Sequence, residues 1–296
     1  MEVAQASSAG FCWGVRRAVE CAVATAESLS GSAERHLGTV YTDGPLIHTP
    51  AMIRDLERRG VHETASPETL PEGATLIIRA HGIAPEHRQR LQSLPLKLID
   101  ATCPEVARIQ GVIRTHVAQG CAIVIHGDRG HAEVTGLCGH AQGRGFVVET
   151  EKDVATLPPS LENVCVVAQS TQDEAEFARV ADAVRKRYGA AQVLDTVCEA
   201  TKNRQRELRD MAATCQKIVV VGSRMSANSL RLARIAAESG CPALMVASAD
   251  ELRPEDFANV TTVGLTAGAS TPDTEIAAVR KTLERLYSVF TSHCPM

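Results

Sequence analysis

Short apolar, β-branched runs alternate with longer stretches of helical period along nearly the whole chain. The runs ATLIIRA (74–80), KLIDA (97–101), AIVIHG (122–127), VCVVAQ (164–169), AQVLDT (191–196), KIVVVG (217–222), ALMVAS (243–248) and TTVGLT (261–266) predict strands. Between them, VRRAVECAVATAESL (15–29), PAMIRDLERRG (50–60), EVARIQGVIRTHVAQG (105–120), DEAEFARVADAVRKRYG (173–189), NRQRELRDMAATC (203–215) and SLRLARIAAESG (229–240) space their apolar residues as amphipathic helices do. Several of these helices stop at Gly, the residue that suits a left-handed C-cap. Strands apolar at successive positions belong in sheets covered on both faces, and alternation with helices makes such sheets parallel. The pattern predicts an α/β protein with small, mostly parallel sheets flanked by helices.

Composition narrows this picture. At 296 residues the chain has room for two or three domains. Aromatics are only 3%, so cores must be built from Val, Ile, Leu and Ala, and the stacking platforms of nucleic-acid binders are scarce. A net charge of −4 gives no basic surface either, so no nucleic-acid partner is expected. No apolar run approaches the ~20 residues that span a bilayer. The N-terminal MEVAQASSAGFCWG lacks the basic and apolar regions of a secretory signal, so a cytoplasmic protein with no membrane partner is expected.

Ten cysteines in a reducing compartment are not a disulfide framework, and no CxxC pair supports a zinc ribbon or a thioredoxin-like motif. Cys21, Cys121, Cys165 and Cys215 read as small buried hydrophobes. Cys138, Cys241 and Cys294 lie near loops or the C-terminus without an assignable partner. Cys12, Cys103 and Cys198 differ from these. Each follows a strand-like run and precedes a helix, in SSAGFC-WGVRRAV, LIDATC-PEVARIQ and VLDTVC-EATKNRQ. Their separations, 91 and 95 residues, are close to one third of the chain. The spacing suggests three similar lobes, 14–102, 103–197 and 198–296, joined by the N-terminal segment 1–13. Each lobe would present one cysteine at the carboxyl end of a strand, where parallel α/β folds bind ligands. Three such loops around a pseudo-threefold axis would bring three thiolates together. Coincidence is the competing reading, since ten cysteines offer many triplets.

The other strand-to-helix turns are rich in small polar residues and histidine. They are GPLIHTP with His48, IIRAHGIAP with His81, HGDRGHAEVTG with His131 and Glu133, VVAQSTQDE with Ser170 and Thr171, VVGSRMSANS with Ser226 and Asn228, and LTAGASTPD with Ser270. Hydroxyls, amides and helix N-termini satisfy phosphate oxygens, and imidazoles add donors. The chain has no GxxxxGK[ST], and no turn is a convincing GxGxxG, so a pocket for a small diphosphate fits better than a P-loop or a dinucleotide site. Each residue taken alone is more often a plain N-cap or a satisfied core group. His126 is ambiguous on this reading.

The segments AGFCWGVRRAV, GPLIHTP, AHG, DATCP, GHAEVTG, AQST, CEATKNRQ, VVGSRMSANS and TAGASTPD resemble, in order, those of the IspH/LytB family of 4-hydroxy-3-methylbut-2-enyl diphosphate reductases. The resemblance implies three α/β lobes around a central cavity, with a 4Fe–4S cluster held by Cys12, Cys103 and Cys198 and one iron not ligated by protein. It implies a diphosphate pocket of His48, His81, His131, Ser226, Asn228 and Ser270, with Ser170 in the QST turn and Thr201 lining the same cavity, and Glu133 as the proton-delivery residue. The implied reaction is the reductive loss of an allylic hydroxyl, yielding isopentenyl and dimethylallyl diphosphate, with electrons from ferredoxin or flavodoxin. Three positions depart from the family pattern: Ala132 stands for Pro, Ser170 for Thr and Ala227 for Ser. They allow a paralogue acting on a related small diphosphate. A cluster-dependent hydro-lyase and a non-enzymatic iron–sulfur sensor are the alternatives of other classes.

Overall fold

The computed structural model describes residues 2–29, 39–47 and 49–292. Its strands are β1 (Glu2–Gln5), β2 (Val40–Asp43), β3 (Val61–Thr64), β4 (Thr75–Ile78), β5 (Lys97–Asp100), β6 (Ala122–His126), β7 (Gly145–Val148), β8 (Val164–Ala168), β9 (Gln192–Val193), β10 (Lys217–Val221), β11 (Ala243–Val246) and β12 (Thr262–Ala267). The helices are α1 (Trp13–Leu29), α2 (Pro50–Arg58), α3 (Pro85–Gln92), α4 (Pro104–Ala118), α5 (Ala132–His140), α6 (Glu174–Tyr188), α7 (Glu199–Thr214), α8 (Ala227–Glu238) and α9 (Asp273–Ser292). They build three four-stranded sheets, in the orders β3-β2-β4-β5, β7-β6-β8-β9 and β1-β12-β10-β11. Every pairing is parallel.

The chain divides into two compact units. Met1–Trp13, Ile47–Ile53 and Glu199–Met296 form one; Gly14–Leu46 and Arg54–Cys198 form the other. The second unit holds the sheets built from β2–β5 and β6–β9, and the first holds the sheet of β1, β10, β11 and β12. Residues 1–13, expected only as a joining segment, therefore contribute an edge strand, with Glu2 to Gln5 in register with Thr262 to Leu265.

Alternation along the central strands explains why both sheet faces are covered. On β6, Ile123 and Ile125 pack with Ile109 and Ile113 of α4 and with Val134 and Leu137 of α5. Val124, between them, packs with Phe177, Val180 and Val184 of α6 on the opposite face, as a period of two requires. β10 repeats the arrangement. Ile218 and Val220 meet Leu208 of α7 with Leu232 and Ile235 of α8, while Val219 and Val221 meet Ile276, Val279 and Leu283 of α9. Helices α4 and α8 are followed by Gly120 and Gly240, at φ +83° and +82°, left-handed conformations that a Cβ would strain.

Two expected elements are altered. The run 191–196 is paired only at Gln192–Val193, because the chain turns off toward Cys198 as soon as the register with β8 ends. The helix expected at 203–215 starts earlier, at Glu199, so α7 begins one residue after Cys198. Among the described residues, no helix is long and apolar enough to cross a membrane.

Candidate active site

In the unit of residues 14–46 and 54–198, the expected site residues form one chain of contacts across the carboxyl ends of β4, β5, β6 and β8. Cys103 caps α4 in an extended conformation ahead of Pro104, and its backbone N donates to Ala80 O at 2.9 Å, beside His81. A Cβ at Gly14 would overlap Cys103 Sγ, so this thiol lies against bare backbone at the start of α1. The His81 ring meets the His131 ring edge to face, with centroids 5.2 Å apart. His131 is the N-cap of α5, and its Nδ1 accepts from the Glu133 backbone N at 3.2 Å. That bond leaves Nε2 as the donor nitrogen of the neutral ring.

Glu133 is 2% exposed. Its Oε1 accepts from the Ser170 backbone N at 2.6 Å and its Oε2 from Ser170 Oγ at 2.8 Å. Ser170 O in turn accepts from the Cys198 backbone N at 2.9 Å. A buried carboxyl thus stands one residue away from a cysteine turn, held through both of its oxygens. Neighbouring amides brace this arrangement, and sequence reasoning passed over them. Gln169 Oε1 accepts from Asp128 N at 2.9 Å, and Gln169 Nε2 donates to Thr171 Oγ1 at 3.1 Å. Gln172 Nε2 reaches Asp128 Oδ1 at 3.2 Å. The available signal was a pair of glutamines flanking the hydroxyls of AQSTQ, at a strand end where polar side chains find few solvent partners.

The unit of residues 1–13, 47–53 and 199–296 holds Cys12, Thr201, Ser226, Asn228 and Ser270. Cys12 N donates to Ala269 O at 3.1 Å, next to Ser270. Ser226 is the N-cap of α8, accepting from Ser229 N at 3.3 Å, so its structural role is real. The hydroxyl hydrogen stays available to a ligand. The strand ends come close because Gly222 and Gly268 leave room for Ser229 Oγ, which a Cβ on either would overlap. Asn228 Nδ2 is buried with no hydrogen-bond partner among the described residues. An unmet amide donor in the first turn of a helix, beside open N–H groups, is a ready anion site. Thr201 is 9% exposed on α7. His48 lies outside the described residues, as do His36, His293 and Cys294.

Other candidates resolve as structure. His126 is fully buried, with Nδ1 at 3.2 Å from Val148 O and its ring stacked on Phe177. Burial, and then the neighbouring Cys121, push the Cys165 thiol up to about 12, so it stays an inert thiol. Burial raises Cys138, and burial followed by Cys215 raises Cys241. Cys241 Sγ donates to Cys215 O at 3.2 Å. Cys12, Cys103 and Cys198 are half-buried and free of disulfides. Among the described residues, no three His, Cys, Asp or Glu side chains form a metal-holding group.

Thiols, a buried carboxyl and hydroxyl-rich turns gather at the carboxyl ends of parallel strands in an α/β protein, the place where such folds bind ligands. The family model described as LytB protein matches residues 3–284. The 4-hydroxy-3-methylbut-2-enyl diphosphate reductase of Opitutus terrae is 41% identical over 297 residues, covering 97% of this chain and 100% of that protein. The enzyme of the same name from Aquifex aeolicus is 37% identical, with 97% of each chain covered. The solved E-1-hydroxy-2-methyl-but-2-enyl-4-diphosphate reductase of Plasmodium falciparum superposes with a TM-score of 0.87 at 27% identity, over 96% of this chain and 87% of that one. A second solved structure, of the (E)-4-hydroxy-3-methyl-but-2-enyl diphosphate reductase described as the terminal enzyme of the non-mevalonate pathway, gives a TM-score of 0.69 at 36% identity, over 96% of this chain and 100% of that one. The chain belongs to the LytB family.

Proposed function

We propose that this chain reduces 4-hydroxy-3-methylbut-2-enyl diphosphate to isopentenyl and dimethylallyl diphosphate, the last step of the non-mevalonate route to isoprenoids. Family membership supports the reaction class. The observation that carries the reading is the buried Glu133–Ser170 pair, one backbone hydrogen bond from Cys198. In the reaction the allylic C–O bond breaks and a C–H bond forms. Two electrons enter from an external donor such as ferredoxin or flavodoxin, one proton leaves in water, and a second stays on carbon.

Cys12, Cys103 and Cys198 would hold a 4Fe–4S cluster, with one iron lacking a protein ligand. The chemistry of the donors supports this reading: three half-buried thiols, none in a disulfide, each in a strand-to-helix turn. When bound, the cluster supplies single electrons and a Lewis-acidic iron.

The chain's own residues do the rest. The N-terminus of α8, with Ser226, Asn228 and Ser270, binds the diphosphate through backbone and amide donors. The family resemblance assigns His48, His81, His131 and Thr201 to the same ligand, and Nε2 is the donor nitrogen of the neutral His131 ring. Glu133 delivers a proton, and the carboxylate left behind keeps its bonds from Ser170 N and Oγ. Burial of both residues keeps bulk water from competing for that proton.

The test is anaerobic turnover with dithionite and a viologen mediator. Glu133→Gln should retain the cluster spectrum and lose about 10²–10⁴ in kcat, the usual worth of a positioned acid. Near-normal turnover in that variant removes Glu133 from the mechanism. Product formation without any reductant would make the chain a hydro-lyase instead.

A further inference from the structure

Between β1 and Cys12 the chain runs through Ser7, Ser8, Ala9 and Gly10, and α7 grips that loop from one face. Arg204 and Glu207, three positions apart, share that face. Arg204 is 5% exposed. Its Nε and Nη2 donate to Ser8 O at 3.0 and 2.5 Å, and Nη2 also donates to Gly10 O at 2.8 Å. Glu207 Oε1 accepts from Ser7 N at 2.6 Å, while Oε2 accepts from Ser8 N at 3.0 Å and Ser8 Oγ at 2.5 Å. Opposite charges on one helix face thus read opposite ends of the peptide groups, the cation taking carbonyls and the anion taking N–H.

Both sides of the gripped segment are fixed as well. Ala6 N donates to Leu265 O at 2.8 Å, and Cys12 N to Ala269 O at 3.1 Å. Gly10 sits at φ +104°, where a Cβ would also crowd Asp273 Oδ1. The guanidinium fork meets two carbonyl oxygens two residues apart with donors of fixed direction, which a flexible ammonium does not supply.

We propose that Arg204 and Glu207 are positioning residues for Cys12, holding its turn in ligand geometry before any iron arrives. α7 starts at Glu199, so the helix that follows Cys198 in the chain also sets the Cys12 loop. The proposal rests on the reading of Cys12 as a cluster ligand.

The experiment is a timed iodoacetamide pulse on the full-length apoprotein, with modification of Cys12, Cys103 and Cys198 mapped by mass spectrometry. Arg204→Met should raise the Cys12 rate about 10-fold by local opening, leaving Cys103 and Cys198 unchanged. Arg204→Lys should fall between, since it recovers one carbonyl contact. Glu207→Gln and Ser8→Ala are milder variants that keep the test alive if Arg204→Met does not fold. An unchanged Cys12 rate across the folded variants overturns the proposal, as does a rise shared equally by all three cysteines. In the reconstituted protein, Arg204→Met should shift the electron paramagnetic resonance spectrum of the reduced cluster. Cys12→Ser separates the two ideas: a full iron complement in that variant would end the ligand reading, while the alkylation pattern still judges the clamp.

Discussion

At the carboxyl ends of β6 and β8 the fold offers groups that can change charge. His131 caps a helix with its ring, Glu133 is buried two residues on, and Ser170 bonds both carboxyl oxygens. At the ends of β10 and β12 the fold offers hydroxyls, an amide and two glycines that let the turns close on Ser229. On the proposed function, the same architecture serves two chemical needs. Moving a proton requires a group that changes charge, shielded from water and held in one orientation. Holding an anion requires fixed donors and close backbone approach, and a carboxylate there would repel the ligand.

The comparison breaks most severely at a thiol. Cys103→Ser should lose the cluster outright, seen as absent iron, sulfide and visible absorption after anaerobic reconstitution; a normal cluster would show that the β5–α4 turn has another purpose. Next comes the anion side. Asn228→Ala should raise KM about 10–100-fold, the worth of a hydrogen bond to a charged group, with kcat changed far less. Ser170→Ala probes the proton side and should show the opposite split. It loses the Oγ bond but keeps the backbone bond to Glu133, so kcat should fall roughly 10-fold with KM nearly unchanged. If the two variants gave the same pattern, the division of labour would be wrong.

The smallest effect is a pH dependence at Glu207. Burial raises its carboxyl, but the hydrogen bonds from Ser8 and Ser7 outweigh this and hold it below the ordinary value of 4.5. A depressed carboxyl contributes stability in full above 4.5, and that contribution is lost as the pH falls through the folded-state value. The gap in thermal midpoint between the native chain and Glu207→Gln should be widest near neutrality and close as the pH drops below 4.5. A gap that is constant with pH would mean that the carboxylate charge plays no part in holding Ser7 and Ser8.

Legibility in the sequence follows apolar, β-branched content, and burial only in part: the pattern shows the edge strand β5 but not β2, which lies inside its sheet. The strands β4, β6, β8, β10 and β12 lie inside their sheets and are buried along most of their length, so TLII, AIVIH, VCVVA, KIVVV and TVGLTA read as strands at sight. The edge strands β1 (EVAQ) and β3 (VHET) are largely exposed, and polar residues hide them. Helix α5 shows no clear helical period, because AEVTGLCGH carries two glycines of poor helix propensity. Packing explains both: a Cβ at Gly139 would collide with Ala84, and Gly136 lies close to the Ile83 backbone.

The sequence by itself determined the parallel α/β class, the strand-to-helix turns that hold Cys103, His131, Ser170 and Ser226, and the motifs that tie the chain to its family. These are local properties: a run of apolar residues, a cap, a cysteine between strand and helix. Only the tertiary structure decided that Ser170 is the partner of Glu133, that His81 faces His131, and that Arg204 and Glu207 hold the segment leading to Cys12. Those pairs lie far apart in the chain. Their geometry comes from strand register and helix packing, which bring together groups that no sequence spacing connects.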